Sequence, residues 1–169
     1  MEENNKQHLT FGVAGHNFAL IIDSIEEIFQ TTQIQIVPRT SIMLAGIVNL
    51  RGQIISIFSL SALLWGKKIE PSRNHNEITQ VKQTILLVNR KDLKIGLLID
   101  ELLGLKTIKE FGQENSKLLE EKGLENSSYI SGIGIINGGE TVLIIDLRKI
   151  LDKAGILEKK SDDASRALR

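Results

Sequence analysis

The chain has 169 residues, with 21 basic and 21 acidic side chains, 41% hydrophobic and 4% aromatic residues, and no cysteine. The missing cysteine excludes a disulfide framework and any Cys-ligated metal or cluster, while neutral charge and scarce aromatics argue against a nucleic-acid surface or a base-stacking platform. No apolar run reaches bilayer-spanning length, and the polar start, Met1 to Gln7, lacks a signal-peptide core, so a cytoplasmic protein is expected.

In chain order, residues 8–22 hold two apolar runs around Ala14-Gly15-His16-Asn17, which predicts a β-hairpin. Asp23 to Gln30 is ambiguous: Ile25, Ile28 and Phe29 fit helical spacing, yet the equivalent stretch later in the chain is β-like. Ile34 to Pro38 is a short extended piece ended by Pro. Gly46 to Leu60 reads as strand, tight turn at Arg51-Gly52, and strand, followed by a helical turn over Ser61 to Trp65. Residues 66–82, with Pro71, Ser72 and Arg73, form a linker. Gln83 to Asn89 and Lys94 to Asp100 make a second hairpin around Asn89-Arg90-Lys91-Asp92. Ser116 to Lys122 suits a helical turn ending at Gly123, and Asn137-Gly138-Gly139 a hairpin turn. Arg148 to Ala154 is a closing helix with Gly155 after it, and the charged tail beyond has little reason to order.

These elements occur twice. Phe18-Ala19-Leu20-Ile21-Ile22-Asp23 recurs as Ile95-Gly96-Leu97-Leu98-Ile99-Asp100, and Gly46 to Gly52 recurs as Gly132 to Gly138. The repeat offset grows from 77 to 86, so the second copy carries nine extra residues between Asp100 and Gly132. Five short strands per copy, with Gly-rich turns, predict a mostly-β protein of two small barrels packed together, with a two-sheet sandwich as the alternative. The expected division is a tail at 1–7, a first barrel at 8–65, the linker at 66–82, a second barrel at 83–151, and a helix end and tail at 152–169.

No catalytic constellation stands out. His8, His16 and His75 fall in a tail, a turn and a linker without metal-ligand spacing. Gly132-x-Gly134-x-x-x-Gly138 lies in a strand and its turn, which reads as close packing. Asn126-Ser127-Ser128 matches a glycosylation acceptor by chance. Asp23 and Asp100 could suggest acid–base chemistry, but each copy has one, so turn or cap acceptors are expected. Ser59 and Asp146 are equivalent and suit helix entry. Neither a catalytic residue nor a cofactor or metal site is therefore predicted. Subtracting the copies leaves Arg51, whose counterpart is Asn137, and Glu27, whose counterpart is Gly104. Either a solvated surface or a binding role accounts for both. The alternation of Leu9 and Phe11 with Phe18, Leu20 and Ile22 leaves room for a partner patch on one face.

The run Gly46-Ile47-Val48-Asn49-Leu50-Arg51-Gly52-Gln53-Ile54-Ile55, preceded by Ile36-Val37-Pro38, resembles the signature of CheW-like domains, the chemotaxis coupling proteins. Phe18 to Ile28, Lys94 to Asp100 and Ile144 to Leu147 fit the same pattern in the same order, so the resemblance spans about residues 8–151. It implies two side-by-side SH3-like five-stranded barrels. It also implies a non-catalytic, cofactor-free cytoplasmic adaptor, linking chemoreceptor cytoplasmic tips to the regulatory domain of the histidine kinase CheA and recruited to receptor arrays. Arg51 matches the family's Arg and Glu27 an acidic position. With Asn49 and Val48 they form the implied receptor-binding set, and an apolar end near Leu9, Ile22 and Ile25 the implied kinase contact. Ser56 and Ser59 depart from the Pro and Asp that many members carry. An adaptor in another receptor–kinase pathway, such as pilus motility, and a small-barrel nucleic-acid binder are the alternatives.

Overall fold

A computed structural model describes residues 6–67, 82–90, 93–111, 116–124, 128–136, 138–153 and 155–156. The first half contains β1 (Gln7–Val13), β2 (His16–Ile21), β3 (Ile25–Thr31), β4 (Leu44–Leu50), β5 (Gln53–Ser59) and α1 (Leu60–Trp65). The second contains β6 (Gln83–Arg90), β7 (Leu93–Ile99), β8 (Glu101–Thr107), β9 (Lys109–Phe111), α2 (Ser116–Glu121), β10 (Ile130–Ile135), β11 (Thr141–Ile145) and α3 (Leu147–Lys153). The ambiguous segment after Asp23 is a strand, preceded by a single 3-10 turn at Ile22–Ser24. The turn at Lys91-Asp92, the middle of the linker, Asn137, Asn126-Ser127, His75 and most of the tail lie outside the described residues.

The strands form two sheets. One runs β3-β6-β7-β5-β4 and the other β8-β1-β2-β11-β10-β9. Both curl shut. β8 and β9 are one strand bent at Ile108, pairing with β1 on one side and β10 on the other, so the six-membered order closes as five strands. In the first sheet, the chain beyond β3 reaches β4 through a bridge between Gln35 and Ile47, with both backbone hydrogen bonds at 2.9 Å. A Cβ at Gly46 would overlap the Gln35 carbonyl there, so only glycine lets the backbones meet.

The expected division into 8–65 and 83–151 is corrected by the topology. The first barrel takes β3, β4 and β5 from the first copy but β6 and β7 from the second; the second barrel takes β1 and β2 in exchange. The exchange arises because the chain changes barrels at the two repeated aspartates. The 3-10 turn holding Asp23 carries it from β2 to β3, and Asp100 alone separates β7 from β8. The single residue between β7 and β8 leaves no room for a hairpin, and the 3-10 turn after β2 sends β3 into the other sheet. Asp100 secures its crossover: its Oδ2 accepts the Ala14 N–H at 2.6 Å and its own N–H donates to Gly12 O at 3.1 Å. That is the turn-acceptor role expected of it.

Three apolar cores result. Val48, Ile55, Ile57, Ile85 and Leu87 fill the first barrel. Ala19, Ile108, Ile136, Val142 and Ile144 fill the second. The largest cluster lies between the barrels and includes Leu9, Phe11, Phe18, Leu86, Leu97 and Tyr129. Alternate residues of each exchanged hairpin face a barrel interior and this shared layer, so β6 and β7 are apolar on both faces, while β1 buries His8 and Thr10 on the face turned from the layer. The helices start as expected, with Ser59 Oγ accepting from Ala62 N–H at 3.3 Å and Asp146 Oδ1 from Lys149 N–H at 3.2 Å.

Candidate functional site

Closure of the first barrel brings β3 and the β4–β5 turn together. The turn holds Arg51 at φ 53° and Gly52 at φ 84°, the positive pair that a two-residue hairpin favours. Asn49 Oδ1 accepts the Gly52 N–H at 2.8 Å and fixes the turn. Glu27 lies opposite, on β3, where a register shift between Ile25 and Glu27 re-aims the strand. Arg51 Nη2 donates to Glu27 Oε1 at 2.8 Å and Nη1 to Oε2 at 3.1 Å, a two-pronged ion pair. The Arg51 side chain is 76% exposed and that of Glu27 28%. In such exposure a pair contributes about 0–1 kcal/mol, too little to hold the barrel. Its effect is orientation. Two of the five guanidinium N–H groups are engaged, and among the described residues the other three have no partner.

Other expected contact residues sit differently. Val48 is buried inside the first barrel, so it supports the turn from below and offers no contact surface. Leu9, 2% exposed, belongs to the inter-barrel layer, and the expectation that it lies on a kinase-facing patch is corrected. The alternation that suggested a patch serves two buried faces instead. Ile22 and Ile25 are half-buried, and Ile25 lines a shallow cleft with Asp23, Ser24, Glu26, Asn89 and Lys94. Exposed apolar side chains that sequence reading missed are Ile36 and Ile54 on the first barrel, and Leu102 and Leu105 on β8. Strand alternation carries no signal for them, because it marks two faces without saying which one meets water. Among the described residues no three His, Asp or Glu side chains are grouped as a metal site requires. No helix among them is long and apolar enough to cross a membrane.

Residues 7–155 match the family described as CheW-like domain. The chain belongs to that family. CheW-like proteins are non-catalytic scaffolds, and this chain is a chemotaxis scaffolding adaptor of that type. It is 24% identical over 150 residues to the chemotaxis protein CheW of Thermotoga maritima, spanning 89% of this chain and 90% of the relative. It is 23% identical over 163 residues to the chemotaxis protein CheW of Bacillus subtilis, spanning 96% and 97%. The crystal structure of the scaffolding protein TtCheW from Thermoanaerobacter tengcongensis shares its fold, with a TM-score of 0.66, 21% identity, and coverage of 88% of this chain and 93% of that one. The CheW-like fold therefore includes the paired barrels described above.

Proposed function

We propose that this protein couples the cytoplasmic tips of chemoreceptors to the regulatory domain of the histidine kinase CheA, acting in the cytoplasm at receptor arrays. The observation that carries this reading is the Arg51–Glu27 fork on an Asn49-braced turn, an exposed and pre-oriented cation that contributes little to the fold. In the second barrel Glu27's counterpart is Gly104, whose carbonyl accepts the Thr10 hydroxyl at 2.8 Å, so the fork belongs to one barrel by design of its sequence. A helical hairpin tip presents carbonyls and carboxylates that suit such a fork. For the kinase contact, Ile22 and Ile25 supply half-buried aliphatic area beside the Glu26–Lys94 ion pair. The test mixes the purified protein with a receptor-tip hairpin, a CheA regulatory domain and a duplex nucleic acid in separate binding assays. Retention of the first two is the expected result. Retention of the nucleic acid alone would overturn the reading.

A further inference from the structure

A second cluster of polar groups lies away from the fork, around Trp65, the single tryptophan of the chain. Trp65 ends α1, which leaves the first barrel, but its ring stands edge-on to Phe18 in the second barrel, 6.0 Å between centroids and 79° between planes. The His16 imidazole lies 5.8 Å away on the same strand. The Trp65 indole N–H donates to the Lys122 carbonyl at 3.0 Å, just past α2. Lys122 Nζ lies 3.2 Å from His16 Nδ1. An ammonium only donates, so Nδ1 is the acceptor, and His16 is neutral with its proton on Nε2. One backbone carbonyl and one ammonium of Lys122 thus join β2, α1 and the α2 segment. That segment falls in the stretch where the second copy carries its extra residues, and Leu124, 1% exposed, seats its end.

We propose that His16, Lys122 and Trp65 form an acid-labile latch that fastens the α2 segment across the junction of the two barrels. A proton on Nδ1 turns the acceptor into a donor and sets an imidazolium against an ammonium. The Lys122 side chain must then swing away, leaving the segment held by its backbone contact to Trp65 and by Leu124. Among the described residues, the groups around the imidazole offer the new charge no counterion. On β1 its strand partner is Val13, on α1 it meets Trp65, and on α2 it meets Lys122. Glu120 and Glu121 are exposed on α2, Lys67 is exposed beyond α1, and Asp100 is engaged by Ala14 N–H in the neighbouring turn. Burial, and then the Lys122 charge, hold the His16 pKa below its ordinary value. The unfolded chain therefore takes up this proton first. The latch is fully formed above about pH 6.5, and its stabilisation is lost as pH falls through the folded-state pKa of His16.

The experiment follows Trp65 emission and the hydrogen-exchange protection of the Leu124 amide, which donates to Leu119 O at 2.8 Å. Both are measured on the full chain from about pH 8 to about pH 5. The expected result is an emission shift together with a loss of Leu124 protection at the acid end. His16→Gln keeps a neutral acceptor for Lys122 and should retain both signals across the range. Lys122→Met should show reduced protection already at the alkaline end, with no further loss in acid. The same acid response in His16→Gln would overturn the latch. So would an emission change with Leu124 protection intact, which would report only local quenching by the charged imidazole.

Discussion

Arg51 holds a conformation that costs a non-glycine residue roughly 1–2 kcal/mol, and it does so to aim a side chain that the fold barely uses. Two substitutions separate these effects. Arg51→Gly relieves the backbone and should leave the protein at least as stable as the wild type. Arg51→Ala keeps the strained turn and should alter stability by only ~0.5 kcal/mol. Both should weaken receptor-tip binding by about 2–5 kcal/mol and kinase binding far less, as seen by calorimetry with each partner alongside thermal melts. Equal losses for both partners would remove Arg51 from receptor recognition. A second pair distinguishes core from surface. Leu9→Ala should cost about 2–5 kcal/mol because it opens a cavity in the inter-barrel layer. Ile22→Glu, at a half-buried position, should leave the circular dichroism spectrum folded while kinase binding falls. If Ile22→Glu unfolds the protein, Ile22 is core and the kinase contact lies elsewhere.

Among the elements, the bent β8–β9 strand closes the second barrel by placing Ile108 against β10. A Cβ on Gly134 would overlap Ile108 Cγ2. Gly134→Ala should therefore destabilise by about 1–3 kcal/mol through overpacking. Adding Ile108→Ala makes room for the new methyl, so the double variant should be less unstable than the two single costs combined. A denaturant-unfolding cycle checks this, and strict additivity would show that the two residues do not share the space. The helix entries are simpler. Ser59→Ala removes the hydroxyl that accepts Ala62 N–H and should cost ~1 kcal/mol, with no change in the shape of the unfolding transition.

At the scale of the molecule, the hairpin exchange makes the barrels interdependent. Neither half of the chain contains the strands of a closed barrel. Fragments cut between Lys67 and Lys82 should each lack a cooperative thermal transition. Mixed, they should regain the native spectrum, because α1 and the exchanged hairpins bury the shared layer only when both halves are present. A folded, monomeric half would contradict the exchanged topology. The same interdependence explains why Trp65, at the end of a helix from one barrel, packs on Phe18 of the other.

The local content of this protein was legible in its residues. Period-two apolar runs marked the strands, Gly and Asn marked the turns, and Ser59 and Asp146 marked the helix entries, because each of these is decided by a few neighbouring dihedrals and hydrogen bonds. Comparing the two copies also singled out Arg51 and Glu27, since a charge without a twin is one the repeated fold does not require. Strand partnership was decided elsewhere. A repeat specifies how many strands there are, while the sheet that each joins depends on long-range closure and on the short crossovers at Asp23 and Asp100. Leu9 was misread for that reason: alternation reports that a strand has two faces, and only the packed barrels determine that both are buried, while Val48, assigned by resemblance, turns its side chain into the first barrel. The latch was equally hidden, because His16, Trp65 and Lys122 lie far apart in the chain and meet only where the two barrels join.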